Sequence, residues 1–372
     1  MKSRIQRWAL ACLLVLAATG LLAEPGEAPK QSFEAVAEVI ARQMRAHHFD
    51  PAIGSSPALA AVESKVSALA AKPQTQQAFV AEFNRIWRDG PFSHVNLVLA
   101  QGNAAQMADQ LDQMRVGGGG ARLSWPEPGV ALLTVNTMMG SDTIEEIAAA
   151  YGEIVARSAQ VLIIDLRANE GGAFAVVPLI GHLIDRAFDA GAFVSREWYG
   201  ADGAWPTLAE VEPLQPWTGW SIKRFWADAE SHALTCIQFQ PMAPRFDGPV
   251  YVLTSRRTAS AAELAADALR GSGRATLIGE ITAGNMLSQK PFDLPEGMQL
   301  FLPIADYYSF HGGHIEGTGV RPDIAVPAPQ ALDQALTVAA QTVPSVGREG
   351  RPEAGNAAAN SIQPPRENPD LL

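Results

Sequence analysis

The sequence predicts an α/β protein in which a small helical unit precedes the main core. Apolar residues recur at helical spacing from residue 33 to about residue 114. After a run of four glycines at residues 117–120, short apolar runs alternate with longer helical patterns. This alternation is typical of α/β sheets, which carry their functional residues at strand ends.

The first 23 residues have the pattern of a secretory signal peptide. Lys2, Arg4 and Arg7 precede an apolar run at residues 8–18, and small residues follow it. The run is too short for a preferred membrane span. We therefore expect cleavage after Ala23 and an exported protein, periplasmic or extracellular, without an integral membrane span after cleavage.

The composition disfavours nucleic acids and anionic membranes as partners. The chain has 28 Lys and Arg against 39 Asp and Glu, for a net charge of −11. Removing the predicted signal peptide leaves 25 basic residues and a net charge of −14. Phosphate-rich partners require clustered basic residues, which this chain lacks. After cleavage Cys236 is the only thiol, so no intrachain disulfide can form.

The helical unit is predicted over residues 24–116, and the glycine run after it is expected to act as a flexible joint. Breaks in the helical pattern fall at Asp50 and Pro51 and at Lys72 and Pro73. The sequence gives no signal for the oligomeric state.

The core is predicted over residues 117–345. Its strand-like runs are residues 130–135, 161–164, 250–253, 276–278 and 298–303. Helical patterns cover residues 142–158, 173–188, 259–270 and 331–340. Residues 197–245 lack a clear period and are expected to form an irregular insert or lid with Trp198, Trp205, Trp217 and Trp220 over the substrate. Residues 346–372 have the composition of a disordered tail.

Ser260 lies at a predicted corner between the run at residues 250–253 and the following helix. A serine at such a corner can hold its hydroxyl beside the N–H groups that open the helix, as nucleophilic hydrolysis requires. The alternative is a helix cap in which Glu263 completes a capping box. Taken alone, the segment favours the cap.

A second corner follows the strand-like run at residues 161–164. Its paired glycines, Gly171 and Gly172, would let backbone N–H groups approach a substrate oxygen. A tight structural turn explains the same pattern equally well.

Taken together, four segments resemble peptidase family S41, the tail-specific or C-terminal processing serine peptidases. They are residues 165–172, 258–263, 278–284 and 315–324, in the family's order. The resemblance extends to the tricorn protease core and to the modules of interphotoreceptor retinoid-binding protein. It implies a ClpP/crotonase-like α/β core of the tail-specific protease type, with Ser260 as the nucleophile.

One position departs from the Ser-Lys members of the family. Asn285 stands where those members have their lysine, and Lys290 is offset by five residues. No PDZ-like module is visible between the helical unit and the core. The sequence therefore looks closer to the tricorn-like and retinoid-binding-like branch without a lysine base.

That branch implies a Ser-His-Ser-Glu arrangement. Ser93 and His94 match the place where the family supplies its histidine, and Glu316 matches its acid. A neighbouring imidazole would make Ser260 nucleophilic by accepting its proton. The backbone N–H groups of Gly171, Gly172 and Ala261 would form the oxyanion hole. An ordinary loop histidine is the structural alternative for His94.

Three further residues are assigned to the substrate groove: Asn285, His311 and His314. The two histidines, with Glu316 close by, could instead bind a metal, but a third ligand is not indicated, and we predict no metal and no cofactor. Glu263 and Asp323 are interpreted as capping or turn residues.

The resemblance thus implies a serine-type peptidase acting on peptides or protein C-terminal segments. A non-catalytic module that binds an apolar ligand is the alternative, because the fold alone does not decide function. Hydrolysis of an ester or a small peptide is a third possibility.

Overall fold

The computed structural model describes residues 30–201, 205–219 and 221–342. The predicted signal peptide, the predicted tail and Trp220 lie outside these residues. The helices in chain order are α1 Glu34–His47, α2 Pro57–Ala70, α3 Gln76–Arg88, α4 Ala104–Asp112, α5 Ser141–Ala156, α6 Val176–Gly181, α7 Arg196–Ala201, α8 Leu208–Val211, α9 Ile222–Ser231, α10 Ala261–Gly271 and α11 Ala331–Thr342. The strands in chain order are β1 Asn96–Leu99, β2 Ala121–Glu127, β3 Val130–Val135, β4 Val161–Asp165, β5 Phe188–Ser195, β6 Leu234–Phe239, β7 Val250–Thr254, β8 Thr276–Gly279, β9 Ser288–Leu294, β10 Met298–Ser309, β11 Gly313–His314 and β12 Ile324–Ala325.

One six-stranded sheet, the core sheet, has the order β12-β8-β7-β4-β3-β2. Its strands run parallel except β2, which pairs antiparallel with β3. The middle strands are continuous apolar runs because both faces are covered. Leu162 and Ile164 pack among residues of α5 and α10, whereas Val161 and Ile163 pack against α11. Because β4 and β7 are neighbouring parallel strands, their carboxyl ends lie at the same edge of the core sheet.

The other six-stranded sheet, the second sheet, is built around β10. Its order is β1-β10-β5-β6, with β9 and β11 also paired to β10. All of these pairs are antiparallel. In this sheet β1, which follows the N-terminal helices, pairs with β10, which lies late in the chain.

The N-terminal helices share their hydrophobic core with the second sheet. Phe79, Phe83 and Trp87 of α3 lie in one buried cluster with Leu300 and Leu302 of β10. The apolar faces of α1, α2 and α3 are therefore completed by strand residues. The predicted helical unit also contains β1, a short strand that its helical periodicity did not reveal.

The predicted glycine joint is tied down by two carboxylates. Asp142 accepts hydrogen bonds from the N–H groups of Val116, Gly117 and Gly118, at 2.8–3.1 Å. Glu146 accepts those of residues 119 and 121, at 2.9 and 2.7 Å. Both acids lie near the start of α5, so the loop is held by the helix that follows it.

Two other expectations differ from the structure. The helix predicted at residues 173–188 is limited to α6, and β5 begins at its predicted end. The insert predicted to be irregular contains α7, α8, α9 and β6. The segment between β1 and β2 holds α4 and no PDZ-like module. No described helix combines the length and the apolar character needed to cross a bilayer.

Candidate active site

Ser260 lies between the end of β7 and the start of α10, as predicted. Its backbone has φ 54° and ψ −125°, a conformation that is uncommon for a residue other than glycine. The Glu263 N–H donates to the Ser260 carbonyl oxygen at 2.8 Å. In return, Glu263 Oε2 accepts the Ser260 N–H at 3.0 Å. The capping role predicted for Glu263 is confirmed, and it holds Ser260 by its main chain.

The turn at residues 165–172 is hydrogen-bonded to residues 258–263, here called the serine corner. Thr258 Oγ1 donates to the Leu166 carbonyl at 2.8 Å, and the Ala259 N–H donates to the Asn169 carbonyl at 3.1 Å. Gly171 has φ 100°, and a Cβ on it would lie 2.6 Å from Ser260 Cβ. Only glycine fits there, because any side chain would collide with the serine.

The two glycines differ in what their N–H groups can do. The Gly171 N–H donates to Asn169 Oδ1 at 2.8 Å, so it is committed within the turn. Among the described residues, the N–H groups of Gly172 and Ala261 have no hydrogen-bond acceptor. The predicted oxyanion hole is therefore reduced to Gly172 and Ala261.

Ser93, His94 and Glu316 form a hydrogen-bonded chain. His94 Nδ1 lies 3.0 Å from Ser93 Oγ, and Ser93 Oγ donates to Glu316 Oε1 at 2.8 Å. The direct separation between His94 Nδ1 and Glu316 Oε1 is 3.8 Å. The direct hydrogen bond between Ser93 and Glu316 thus joins residues 223 positions apart in the sequence.

The second oxygen of Glu316 faces the segment that follows Asn285. It accepts the N–H groups of Met286 and Leu287, at 2.6 and 3.3 Å. In turn, the Asn285 carbonyl accepts the Ser260 N–H at 3.1 Å. The backbone of residues 285–287 therefore links Ser260 to the hydrogen-bonded chain of His94, Ser93 and Glu316.

His94 is mostly buried, with 14% of its side chain exposed. Burial lowers its pKa below the ordinary value of 6.5, and the negative charges of Glu316 and Asp306 oppose the shift. The imidazole is therefore neutral at pH 7 and can accept a proton. With Ser93 on Nδ1, Nε2 is the atom available for proton transfer.

Asn285 is exposed, and its backbone carbonyl lies beside Ser260. Lys290 is on β9, where its ammonium pairs with Glu230 and lies 5.5 Å from the centre of the Phe292 ring. The lysine is thus occupied by partners outside the serine corner.

His311 is not beside Ser260. Its Nε2 lies 3.0 Å from the Asp189 carbonyl oxygen and its ring stacks on Phe188 at 4.7 Å. It also packs over Gly271, the last residue of α10, whereas Ser260 precedes the first. The length of the helix separates the two, so His311 does not lie beside Ser260, as its predicted place in the substrate groove requires.

His314 lies two residues before Glu316 and binds a different acid. Its Nε2 is 2.9 Å from Asp306 Oδ2. The hydrogen bond to Asp306 raises the pKa of His314 above 6.5. His311 and His314 thus have separate partners, and the described residues contain no cluster of three or more His, Cys, Asp or Glu placed to hold a metal.

The insert contacts this region through aromatic residues. Trp205 stacks on His314 at 4.4 Å, and the Tyr199 hydroxyl donates to Asp306 Oδ2 at 3.1 Å. Trp217 packs on Phe174, two residues after Gly172, at 5.3 Å. The sequence reasoning missed Asp306 and Tyr199. A charged residue inside the apolar run of β10 was the available signal for Asp306.

The sequence profile of Peptidase family S41 matches residues 129–326, just over half of the chain. The chain belongs to peptidase family S41. The match covers the two corners and Glu316, whereas Ser93 and His94 precede it. The fold class predicted from the sequence is thereby confirmed.

Curated relatives of this S41 chain include two cyanobacterial proteins named carboxyl-terminal-processing protease. The protein from Picosynechococcus is 37% identical over 116 residues, which cover 29% of this chain and 28% of the relative. The Synechocystis protein is 27% identical over 210 residues, which cover 56% of this chain and 41% of the relative. The chain thus matches less than half the length of each.

A solved structure with the same fold is that of a lipoprotein from Streptococcus agalactiae. It has a TM-score of 0.56 at 17% sequence identity, covering 88% of this chain and all of that one. At 88% of this chain, the likeness in fold extends beyond the residues that the family profile matches.

Proposed function

We propose that this S41 family chain is a serine-type peptidase that cleaves peptides or C-terminal segments of proteins. The observation that carries the proposal is the chain from His94 through Ser93 to Glu316. A neutral imidazole held by a serine and a carboxylate is the arrangement that a general base for Ser260 requires. The names of the two cyanobacterial relatives support peptide substrates.

In the proposed mechanism His94 takes the proton of Ser260 as the hydroxyl oxygen attacks the substrate carbonyl carbon. The N–H groups of Gly172 and Ala261 stabilise the negative charge that develops on the carbonyl oxygen. Loss of one such donor typically costs about two to three orders of magnitude in rate. Glu316, through Ser93, orients the imidazole and stabilises its protonated form.

His94 then returns its proton to the leaving amine as the peptide bond breaks. An acyl group remains on Ser260, and a water activated by the same imidazole hydrolyses the ester. Both half-reactions use one base and one oxyanion hole.

The second candidate function is the binding of an apolar ligand without catalysis. A cavity of about 270 Å³ lies between the insert and α6. Its lining is mainly apolar and includes Val177, Trp217, Ile237, Phe239 and Met242. Apolar cavities of this kind favour hydrophobic ligands.

Labelling with a fluorophosphonate separates the two functions. We expect the protein purified without residues 1–23 to be labelled on Ser260, and Ser260→Ala to be unlabelled while keeping its circular dichroism spectrum. If the wild type is not labelled under conditions that label a control serine hydrolase, the binding of an apolar ligand without catalysis would be favoured.

We also propose that the chain is exported. The proposal is supported by the signal-peptide pattern of residues 1–23. Fractionation of cells that produce the full chain, with N-terminal sequencing of the product, tests it. A cytoplasmic product that still begins at Met1 would contradict it.

A further inference from the structure

Residues 282–287, here called the bridging segment, connect β8 to β9 without regular secondary structure. At its start, the segment binds the buried carboxylate of Glu263. Oε1 of this carboxylate accepts the Thr282 hydroxyl at 2.5 Å and the Gly284 N–H at 2.7 Å. Oε2 accepts the Asn285 N–H at 2.9 Å, beside the Ser260 N–H at 3.0 Å.

At its end, the bridging segment binds a second carboxylate, Glu316, through Met286 and Leu287. The other oxygen of Glu316 accepts the Ser93 hydroxyl that contacts His94. A further hydrogen bond runs from the Gly317 N–H to the Gly284 carbonyl at 2.8 Å. The start of the bridging segment is thus fixed to Glu263, which holds Ser260. Its end is fixed to Glu316, which contacts Ser93 beside His94.

The Glu263 carboxyl group is surrounded by hydrogen-bond partners. Its side chain is fully buried, and burial raises its pKa. Three backbone N–H groups and the Thr282 hydroxyl lie at its two oxygens, two on each. Burying a carboxyl group is costly, and these four hydrogen bonds offset that cost only in this geometry. The position of the bridging segment is therefore tightly specified.

We propose that Glu263 is a positioning residue for the reaction. Together with Glu316 it fixes the bridging segment, and the bridging segment sets the placement of Ser260 relative to His94. This inference rests on the proposed function, because it assigns Glu263 a part in catalysis by Ser260 and His94. Glu263 itself contacts neither the substrate nor the reacting atoms.

The test begins with Glu263→Gln. The amide keeps the shape of the side chain but turns an NH₂ group toward two donors, so the bridging segment must shift. A displacement of about 1 Å at a reacting group can cost about 10²-fold in rate. We expect kcat for an unstructured peptide to fall about 10²-fold, with KM changed less than about threefold because substrate contacts remain.

Asp267→Asn is the matched control. Asp267 is on the same helix, four residues later, and is also buried, with 3% exposure. It lies near Gly312 and the cavity at the far end of α10. We expect Asp267→Asn to leave kcat within about threefold of wild type, although it also replaces a buried carboxyl group with an amide.

A double-mutant cycle distinguishes positioning from general damage. In the His94→Ala background there is no base to align with Ser260. Adding Glu263→Gln should then change the rate of fluorophosphonate labelling less than about threefold, against about 10²-fold in wild type. Equal losses in the two backgrounds would overturn the positioning role.

A second pair of variants covers failure of Glu263→Gln to fold. Thr282→Val removes the hydroxyl that donates to Glu263 and accepts the Val320 N–H at 2.7 Å. Thr282→Ser keeps this hydroxyl. We expect kcat to fall at least about tenfold in Thr282→Val and to recover in Thr282→Ser. Equal kcat values for the two variants would overturn the proposal.

Ser260→Ala, assayed with the same peptide, separates this inference from the proposed function. Hydrolysis undiminished in Ser260→Ala would overturn the proposed function. Wild-type kcat in folded Glu263→Gln, with Ser260→Ala inactive, would overturn the positioning role alone.

Discussion

Two histidines of this molecule lie beside carboxylates in opposite ways. His314 contacts Asp306 directly, with 2.9 Å between Nε2 and Oδ2. His94 lies 3.8 Å from the nearest Glu316 oxygen, with the Ser93 hydroxyl between them. The pKa of His314 is raised by its acid, whereas burial lowers that of His94.

The difference shows what a general base requires. A carboxylate in direct contact favours the charged imidazolium, which cannot accept a proton. At His94 the Ser93 hydroxyl, itself bonded to Glu316, fixes the orientation of the ring, while burial favours the neutral form. At His314 the contact with Asp306 favours the charged form, and the ring stacks on Trp205 of the insert. The surroundings of His94 thus fit the catalytic role proposed for it. Those of His314 fit a structural task better than the position in the substrate groove that the sequence predicted.

The largest expected effect is that of removing each imidazole. His94→Gln should lower kcat/KM by about 10³-fold, because a general base contributes about 10²–10⁴-fold. His314→Gln should cost less than about tenfold, since only the packing of the insert changes. Steady-state peptide hydrolysis measures both, and a larger loss at His314 than at His94 would reverse the assignment of roles.

The next effect concerns the serine between His94 and its acid. Ser93→Ala should lower kcat about 10- to 100-fold, because the imidazole loses a partner that orients it. Ser93→Thr keeps the hydroxyl and should retain more activity. If Ser93→Ala has wild-type kcat, orientation of His94 does not depend on this hydrogen bond.

The pH dependence of kcat/KM gives a smaller, directional effect. Activity requires neutral His94, so it should decline on acidification with a midpoint below 6.5, because burial lowers the pKa of His94. Glu316 opposes that shift, so Glu316→Gln should move the midpoint to still lower pH, in addition to reducing the rate. If the midpoint moved to higher pH instead, the acidic decline of kcat/KM would reflect a group other than His94.

The smallest effect is on stability. The folded-state pKa of His314 is raised, so its contribution is fully present below about pH 6.5 and is lost as pH rises through that raised value. His314→Gln should therefore lower Tm by about 2 °C at pH 5.5, and by less at pH 9. Thermal unfolding followed by circular dichroism measures this, and a constant difference across pH would exclude His314 titration as its source.

The corner that holds Ser260 could be predicted from local sequence, whereas the nucleophilic role proposed for Ser260 came from the resemblance to the family. Apolar runs gave β4 and β7, and the small residues after them gave the corners that hold Gly172 and Ser260. Such corners depend on neighbours within a few positions, which a sequence displays. The capping role of Glu263 followed from the same short-range pattern.

The environment of the base could not be predicted in this way. Asp306 contacts His314, and Glu316 contacts Ser93 beside His94. Both contacts depend on the pairing of β10 with β11 and β1, and the pairing with β1 joins residues far apart in sequence. The resemblance to the family supplied Ser93, His94 and Glu316 as candidates. It could not supply their hydrogen bonds, nor show that α10 separates His311 from Ser260, because both depend on how the two sheets pack.

We propose that Ser260 forms an acyl intermediate with His94 as its base. The most direct measurement is intact-protein mass spectrometry after rapid mixing with an activated ester, for wild type, Ser260→Ala and His94→Gln. We expect an acyl adduct on Ser260 of the wild type, a much slower one in His94→Gln and none in Ser260→Ala. Ester turnover at the wild-type rate in Ser260→Ala, with no adduct in any variant, would contradict the account.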